Sequence, residues 1–358
     1  SIVILSGLAL CSQALASGSR GLPPLFEEVC FEDGRERFAD GSMSLTREGR
    51  SGDDPDTLDA PVALCFAEGY TPTAEEWAAV QRALNGAYSG RYNAAQRWNG
   101  NPGDPINLTW SFVPDGITVG SSTSPGGTGP SELFSRMDTL FGAANRQIWI
   151  NQFTLSFARW QALTGVNYTR VTVGGNEWDD GAAWGSAGAA GLRGDVRISM
   201  KNIDGVNGIL AYNSFPTSTG ANAGDMVIDR SENWATGNPS FRFLRNVIMH
   251  EHGHGLGFAH TCPVNNTKLM EPFASTSFDG PQQDDIRGGI AFYGDIAEPN
   301  ETWPSSYDLG AAVGGGSITL GLPPSPAVTA GSVLGLHDGG VGSANDDIDY
   351  YKVSLDQP

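Results

Sequence analysis

Eleven residues constrain this chain more than any other stretch: His250-Glu251-His252-Gly253-His254-Gly255-Leu256-Gly257-Phe258-Ala259-His260 hold four of its five histidines. The apolar spacing of the preceding run, residues 241–248 (FRFLRNVI), predicts a helix that carries into them. On that helix His250 and His254 stand at i and i+4, one turn apart on one face, and two imidazoles so placed reach one tetrahedral cation. Gly257 falls where the chain must leave the helix, and glycine accepts the left-handed conformation such an exit uses. The turn then returns His260 as a third nitrogen ligand. One Zn2+ held by His250, His254 and His260 keeps a fourth position for a water, whose pKa the ion lowers. Glu251, beside the first ligand, is placed to take that water's proton and to pass it to a leaving amine. Glu251 is therefore the candidate catalytic residue, and no serine or cysteine nucleophile is required. His252, at i+2, points off the ligand face and is read as packed or solvated.

The remaining composition narrows the class. The chain has 358 residues, 48 of them glycine, and only 17% are charged, which favours a loop-rich globular fold over long helices. A formal net charge of −19 leaves no basic stripe to meet phosphates, so nucleic acid is not an expected partner. Residues 1–16 (SIVILSGLALCSQALA) resemble the apolar core and small-residue cleavage site of a secretory signal, here a truncated one, and point to a secreted protein. No stretch reaches membrane-spanning length, and a monomer is expected. Cys30, Cys65 and Cys262 then remain in an oxidising compartment. Cys30 with Cys65 is the simplest pair; Cys262 is an alternative partner for either.

Four segments follow along the chain. Residues 1–16 form the signal and residues 17–105 an N-terminal extension or pro-region. In the latter, Thr73 and Glu76 have the spacing of a helix-opening capping box. Residues 106–295 form the catalytic domain. Strands are expected at 106–113, 166–173, 195–200, 208–211 and 225–228, and helices at 148–163, at the histidine motif and at 281–293. Helices and strands so interleaved predict an α/β (α+β) domain with a twisted mixed sheet above the metal cleft. Residues 296–358, rich in Gly, Pro and Ser, predict a small, truncated C-terminal β-sandwich domain. The strand at Gly208, Ile209, Leu210 and Ala211 is expected to rim the cleft and to take a protein or peptide substrate by β-pairing, with Pro272 on the opposite wall.

The pattern H-E-x-x-H-x-x-G-x-x-H is the metzincin form of the zincin motif. Together with Leu269-Met270-Glu271-Pro272 and the run Gln283-Asp284-Asp285-Ile286 with Tyr293-Gly294, it resembles the matrixins, above all their bacterial secreted relatives, over residues 106–295. The resemblance implies a zinc-dependent endopeptidase with a methionine turn, here at Met270, beneath the metal. It also implies calcium ligands at Asp195 and Asp225, and at Asp204, Asp229 and Glu232, residue types that suit a cation wanting several oxygens. Matrixins hold a second, structural zinc through three histidines and an aspartate. The corresponding positions here are Tyr212, Asn213 and Val227, so one zinc is expected. Nothing around Cys30 or Cys65 matches the family's cysteine-switch sequence, and a thiolate cap on the zinc is not expected. The EPNETW and DDIDYYKV motifs of the last segment resemble a bacterial pre-peptidase C-terminal domain.

Two rivals stay within view. Serralysin-like enzymes carry glycine-aspartate nonapeptide repeats, which are absent, and astacin-like enzymes add a tyrosine ligand that Pro272-Phe273 does not supply. A non-catalytic zinc-binding surface adhesion or carbohydrate-binding module has no use for Glu251 beside an open metal position.

Overall fold

Alternating apolar residues place Ile106–Phe112 as strand β2 at the heart of a sheet. The computed structural model describes residues 62–74, 76–77, 97–216, 222–237, 240–261, 264–300, 303–312 and 351–355. In chain order the strands are β1 (Val62–Phe66), β2, β3 (Thr118–Val119), β4 (Gly129–Pro130), β5 (Val166–Arg170), β6 (Val196–Lys201), β7 (Ile209–Ser214) and β8 (Met226–Asp229). The main sheet has the order β1-β7-β8-β6-β2-β5. β5, β2, β6 and β8 run parallel, whereas β7 is antiparallel to both β8 and β1. The sheet is thus mixed, as expected, and every residue of β6, β7 and β8 is buried. Parallel strands covered on both faces read in this way, as continuous rather than alternating burial.

Four helices accompany the sheet: α1 (Leu133–Phe141), α2 (Arg146–Gln161), α3 (Arg242–Gly255) and α4 (Gln283–Tyr293). α2 and α3 pack against each other, and α3 packs on β7. Between sheet and helices lies an aromatic core. Trp110 stacks on Phe157 with centroids 4.7 Å apart, and Phe112 meets Phe153 edge-on at 5.0 Å. Such pairs add about 0.5–1.5 kcal/mol beyond their burial. The capping box at Thr73 forms in both directions: Thr73 N–H donates to Glu76 Oε2 and Glu76 N–H to Thr73 Oγ1.

α1 and β1 are among the elements that went unforeseen. α1 buries Leu133, Phe134 and Met137 on one face. β1 extends the sheet by pairing with β7. Past α4, β9 (Tyr307–Ala312) and β10 (Tyr351–Leu355) pair in parallel, and Tyr351 Oη donates to Asp295 at 3.3 Å. Residues 1–16, Cys30, Cys262 and residues 313–350 lie outside the described residues, and with them the signal and most of the expected C-terminal β-domain. Among the described residues no helix is long and apolar enough to cross a membrane.

Candidate active site

α3 carries the motif as the spacing predicts. It ends at Gly255, and Gly257 adopts φ +104°, the left-handed exit that lets the chain turn back towards the helix. Tyr293 Oη donates to the Leu256 carbonyl and the Trp98 indole to that of Gly255, so the frayed end of α3 is tied down from two sides. His250, His254 and His260 then converge. Their Nε2 atoms lie 3.0, 3.2 and 3.3 Å apart, and all three rings are buried. His250 Nδ1 donates to the Leu269 carbonyl and His254 Nδ1 to that of Phe258, each at 2.6 Å. Those bonds fix the Nδ1–H tautomer, which turns the Nε2 lone pairs of these two rings on the same point. Burial lowers the pKa of His250 to about 4 and holds His254 and His260 well below the usual imidazole value, so the rings are neutral, as metal ligation requires. A divalent cation fits this donor set, and three nitrogens with an open corner are the coordination of catalytic zinc.

Glu251 is fully buried, and neither carboxylate oxygen has a hydrogen-bond partner within the protein. Burial raises its pKa well above the ordinary value. An orphaned carboxylate at this depth needs a cation or a water nearby to offset its desolvation. His252 is packed: its Nε2 meets Tyr168 Oη at 2.6 Å and its ring lies 4.5 Å from that of Phe157.

Met270 sits against α3. A Cβ on Gly253 would stand 2.4 Å from the Met270 sulfur, so glycine at that position is what allows the turn to press on the ligand helix. A residue whose role the sequence hid is Asp285. One of its oxygens accepts the Leu269 and Gln282 N–H groups, and the other accepts that of Met270. Since the Leu269 carbonyl holds His250, Asp285 orients a metal ligand through the turn. Asp285→Ala leaves three buried donors without an acceptor and is expected to cost roughly 3 kcal/mol in urea unfolding. Burial, working against those three bonds, lifts the Asp285 pKa to about 6. A folded pKa above the unfolded one makes the native protein bind the extra proton between the two. Stability from this group is thus present below about pH 4 and lost as pH rises towards 6. The penalty of Asp285→Ala should accordingly be larger at pH 4.5 than at pH 7.5.

β1 runs between β7 and the segment from Pro272 to Ala274. Cys65 pairs with Ala211 and Phe66 with Ile209, and the register shifts between Cys65 and Phe66. Ala67 N–H donates to Gly208 O at 3.0 Å, Phe66 N–H to Pro272 O at 3.0 Å, and Ala274 N–H to Phe66 O at 2.9 Å. Cys65 is a buried free thiol, so the expected pairing of Cys30 with Cys65 is not formed. Its sulfur groups with His250 and Glu251, within 4.8 Å of both, which nothing in its flanking sequence foretold.

The acidic residues divide. Asp204, Asp229 and Glu232 share one neighbourhood, where the charge of Asp229 adds to burial in raising the pKa of the other two. One oxygen of each accepts a backbone N–H, from Ile209, Ile203 and Asn207 respectively. Asp229 Oδ2 is buried and unpartnered. Asp195 Oδ2 accepts from the Thr109 N–H and Oγ1–H, and Asp225 Oδ1 accepts the Arg197 N–H while its Oδ2 is buried and unpartnered. Where a matrixin's second zinc would sit, Tyr212, Asn213 and Val227 are buried, and the Lys201 ammonium lies 5.6 Å over the Tyr212 ring and donates to Pro125 O at 2.6 Å.

Comparison with known proteins agrees with this geometry. Residues 137–294 match the matrixin family. The chain is 32% identical to interstitial collagenase of Bos taurus over 149 residues, covering 41% of this chain and 28% of that protein. It is 38% identical to neutrophil collagenase of Homo sapiens over 107 residues, 29% of this chain and 22% of that one. With human stromelysin-3 the identity is 33% over 112 residues, 31% of this chain and 21% of that one. The matched length is thus about a quarter of each relative. Residues 137–294 are therefore similar to the matrixin (peptidase M10) family, and within them His250, His254 and His260 form a group that could hold a metal ion.

Proposed function

We propose that this chain is a secreted zinc-dependent metalloendopeptidase that hydrolyses peptide bonds in protein substrates. The observation that carries the reading is the convergence of three neutral imidazoles beside a buried carboxylate with no partner of its own. Zinc held by the triad supplies a Lewis acid that polarises a carbonyl and acidifies water. The chain's own residues do the rest. β7 and the Pro272 wall grip an extended peptide by its backbone, Gly208, Ile209, Leu210 and Ala211 on one side and Pro272 on the other. Glu251 takes a proton from the attacking water and delivers it to the departing amine. Gly257 and Met270 keep His260 and α3 in place. One zinc serves the site.

Calcium is proposed at Asp204, Asp229 and Glu232, where the Asp229 charge adds to burial in raising the pKa of the other two and an orphaned Asp229 oxygen awaits a cation. Asp195 and Asp225 are a second candidate pair. Calcium at 100 times its Kd is expected to stabilise the chain by about 2.7 kcal/mol, read as a rise in Tm that Asp229→Asn removes. Residues 1–16 are proposed as the export signal, residues 17–105 as the extension or pro-region and residues 106–295 as the protease domain. Residues 296–358 are proposed as a β-domain like those appended to bacterial secreted peptidases.

The test is casein or gelatin hydrolysis by the zinc-loaded chain, lost on chelation and regained with added zinc. Zinc bound at the triad with no cleavage of any protein would favour the non-catalytic binding module instead.

A further inference from the structure

A helix leaves its last carbonyls without intrahelical donors, and each buried one must find a donor elsewhere. At the exit of α3 the turn itself serves three of them. Leu256 N–H donates to His252 O, Phe258 N–H to Gly253 O and Gly257 N–H to His254 O, at 2.8, 3.0 and 2.8 Å. The next two carbonyls take theirs from side chains remote in sequence: Gly255 O from the Trp98 indole at 2.8 Å and Leu256 O from Tyr293 Oη at 2.6 Å. Trp98 and Tyr293 are also joined to each other, since the Trp98 backbone N–H donates to the same Tyr293 oxygen at 3.3 Å. The Arg97 guanidinium lies 5.0 Å over the Tyr293 ring, and Gly103 N–H donates to Phe292 O at 3.1 Å, so both ends of the stretch 97–103 meet the last turn of α4. Gly224 opens the slot for the indole: a Cβ there would stand 2.8 Å from Trp98 Cζ2.

What is held is the backbone between two of the three imidazoles. Leu256, Gly257 and Phe258 link His254 to His260, and the Phe258 carbonyl is the acceptor that orients His254 through Nδ1. The Phe258 ring is fixed as well, stacked on Trp160 at 5.7 Å and on Phe292 at 5.4 Å. We infer that Trp98 and Tyr293 are positioning residues of the metal centre, a two-donor clamp that sets the Leu256–Phe258 turn and through it His254 and His260. Trp98 lies in the stretch whose sequence reads as an extension or pro-region, yet its indole bonds to the ligand helix. The inference rests on the triad as a metal site and not on the reaction performed there. Loss of either donor leaves a buried carbonyl unpaired, and the turn relieves it by moving towards another donor. The 3.2 Å spacing of the His254 and His260 nitrogens changes with it.

The full chain is compared with its Tyr293→Phe, Trp98→Phe and Ile290→Val variants. The two clamp variants each lose one side-chain donor and keep an aromatic ring. Ile290→Val trims a buried side chain on the helix that carries Tyr293, so it costs stability without touching the clamp. Zinc affinity is read by competition with a chelator of known affinity, and the visible bands of the Co2+-loaded chain report ligand geometry. Each clamp variant should bind zinc about tenfold more weakly, the low end of what losing an outer-shell partner costs, and should shift the Co2+ bands. The double variant should fall short of the roughly hundredfold product of the two, because the residues act as one bonded unit. Ile290→Val should keep the parent's affinity and spectrum. Parent-like affinity in both clamp variants would overturn the inference, and so would an equal loss in Ile290→Val. Neither readout uses turnover, so a parent that binds zinc but cleaves no protein would overturn the endopeptidase reading and leave the clamp to be decided by its zinc and Co2+ results. A parent that binds no zinc would overturn both.

Discussion

Glu251→Ala is expected to lower kcat for peptide hydrolysis by about 10²- to 10⁴-fold, the usual worth of a positioned general base, while zinc stays at full occupancy. The two halves of that result come from separate facts. Glu251 bonds to none of the three rings, and its oxygens have no partner in the protein, so its loss removes no support from the triad. Its neighbours hold the imidazoles from elsewhere: Leu269 O on His250 and Phe258 O on His254. Removing a buried carboxylate with no partner also lifts a desolvation cost, so the variant should unfold at a urea concentration no lower than the parent's. KM should move little, since the proposed grip on the substrate backbone lies on β7 and Pro272 and not on Glu251. Activity measured against zinc content by mass spectrometry of the native protein checks both halves. A variant that loses its zinc together with its activity would assign Glu251 a structural task instead.

The second large effect belongs to the triad. His254→Ala removes the ring that stands 3.0 Å from His250 and 3.2 Å from His260, the shared neighbour of the other two. Two imidazoles without a third donor hold zinc poorly. The expected loss in affinity exceeds the 10- to 100-fold that removal of an outer-shell partner typically costs. Hydrolysis should vanish at zinc concentrations that saturate the parent. His252→Ala is the matched control on the same helix. It deletes a buried ring between Tyr168 and Phe157 and should cost stability by leaving a cavity, with zinc binding kept. Competition with a zinc chelator of known affinity separates the two variants.

Much of the catalytic domain could be read before any coordinates, and the reason is local. An i, i+4 histidine pair on a helix and a glycine at its exit are rules of backbone geometry, so His250, His254 and Gly257 followed from spacing alone. Strands β2, β5, β6 and β8 and helices α2 and α4 were likewise legible in their periodicity. What stayed hidden depends on distant parts of the chain meeting. The apolar run Val62–Phe66 is a fair strand signal, yet nothing in five residues says that it will lie between β7 and Pro272. Asp285 reads as a first-turn carboxylate, and its grip on Leu269 and Met270 appears only when α4 docks under the turn. The acidic residues show the converse. Asp204, Asp229 and Glu232 share one neighbourhood, while Asp195 holds Thr109 and Asp225 meets the Arg197 backbone through one oxygen and leaves the other unpartnered. α1 carries a clear apolar face in Leu133, Met137 and Phe141 and was missed for want of a start signal at Glu132, which makes no side-chain cap.

Absorption spectroscopy at the zinc K-edge on the loaded, full-length Glu251→Ala chain tests the central claim most directly, because it sees the ligands without relying on turnover. Three imidazole nitrogens at about 2.0–2.1 Å with one or two further light atoms, and no sulfur, are the predicted shell. A zinc surrounded by carboxylates alone, or by fewer imidazoles than the triad offers, would contradict it.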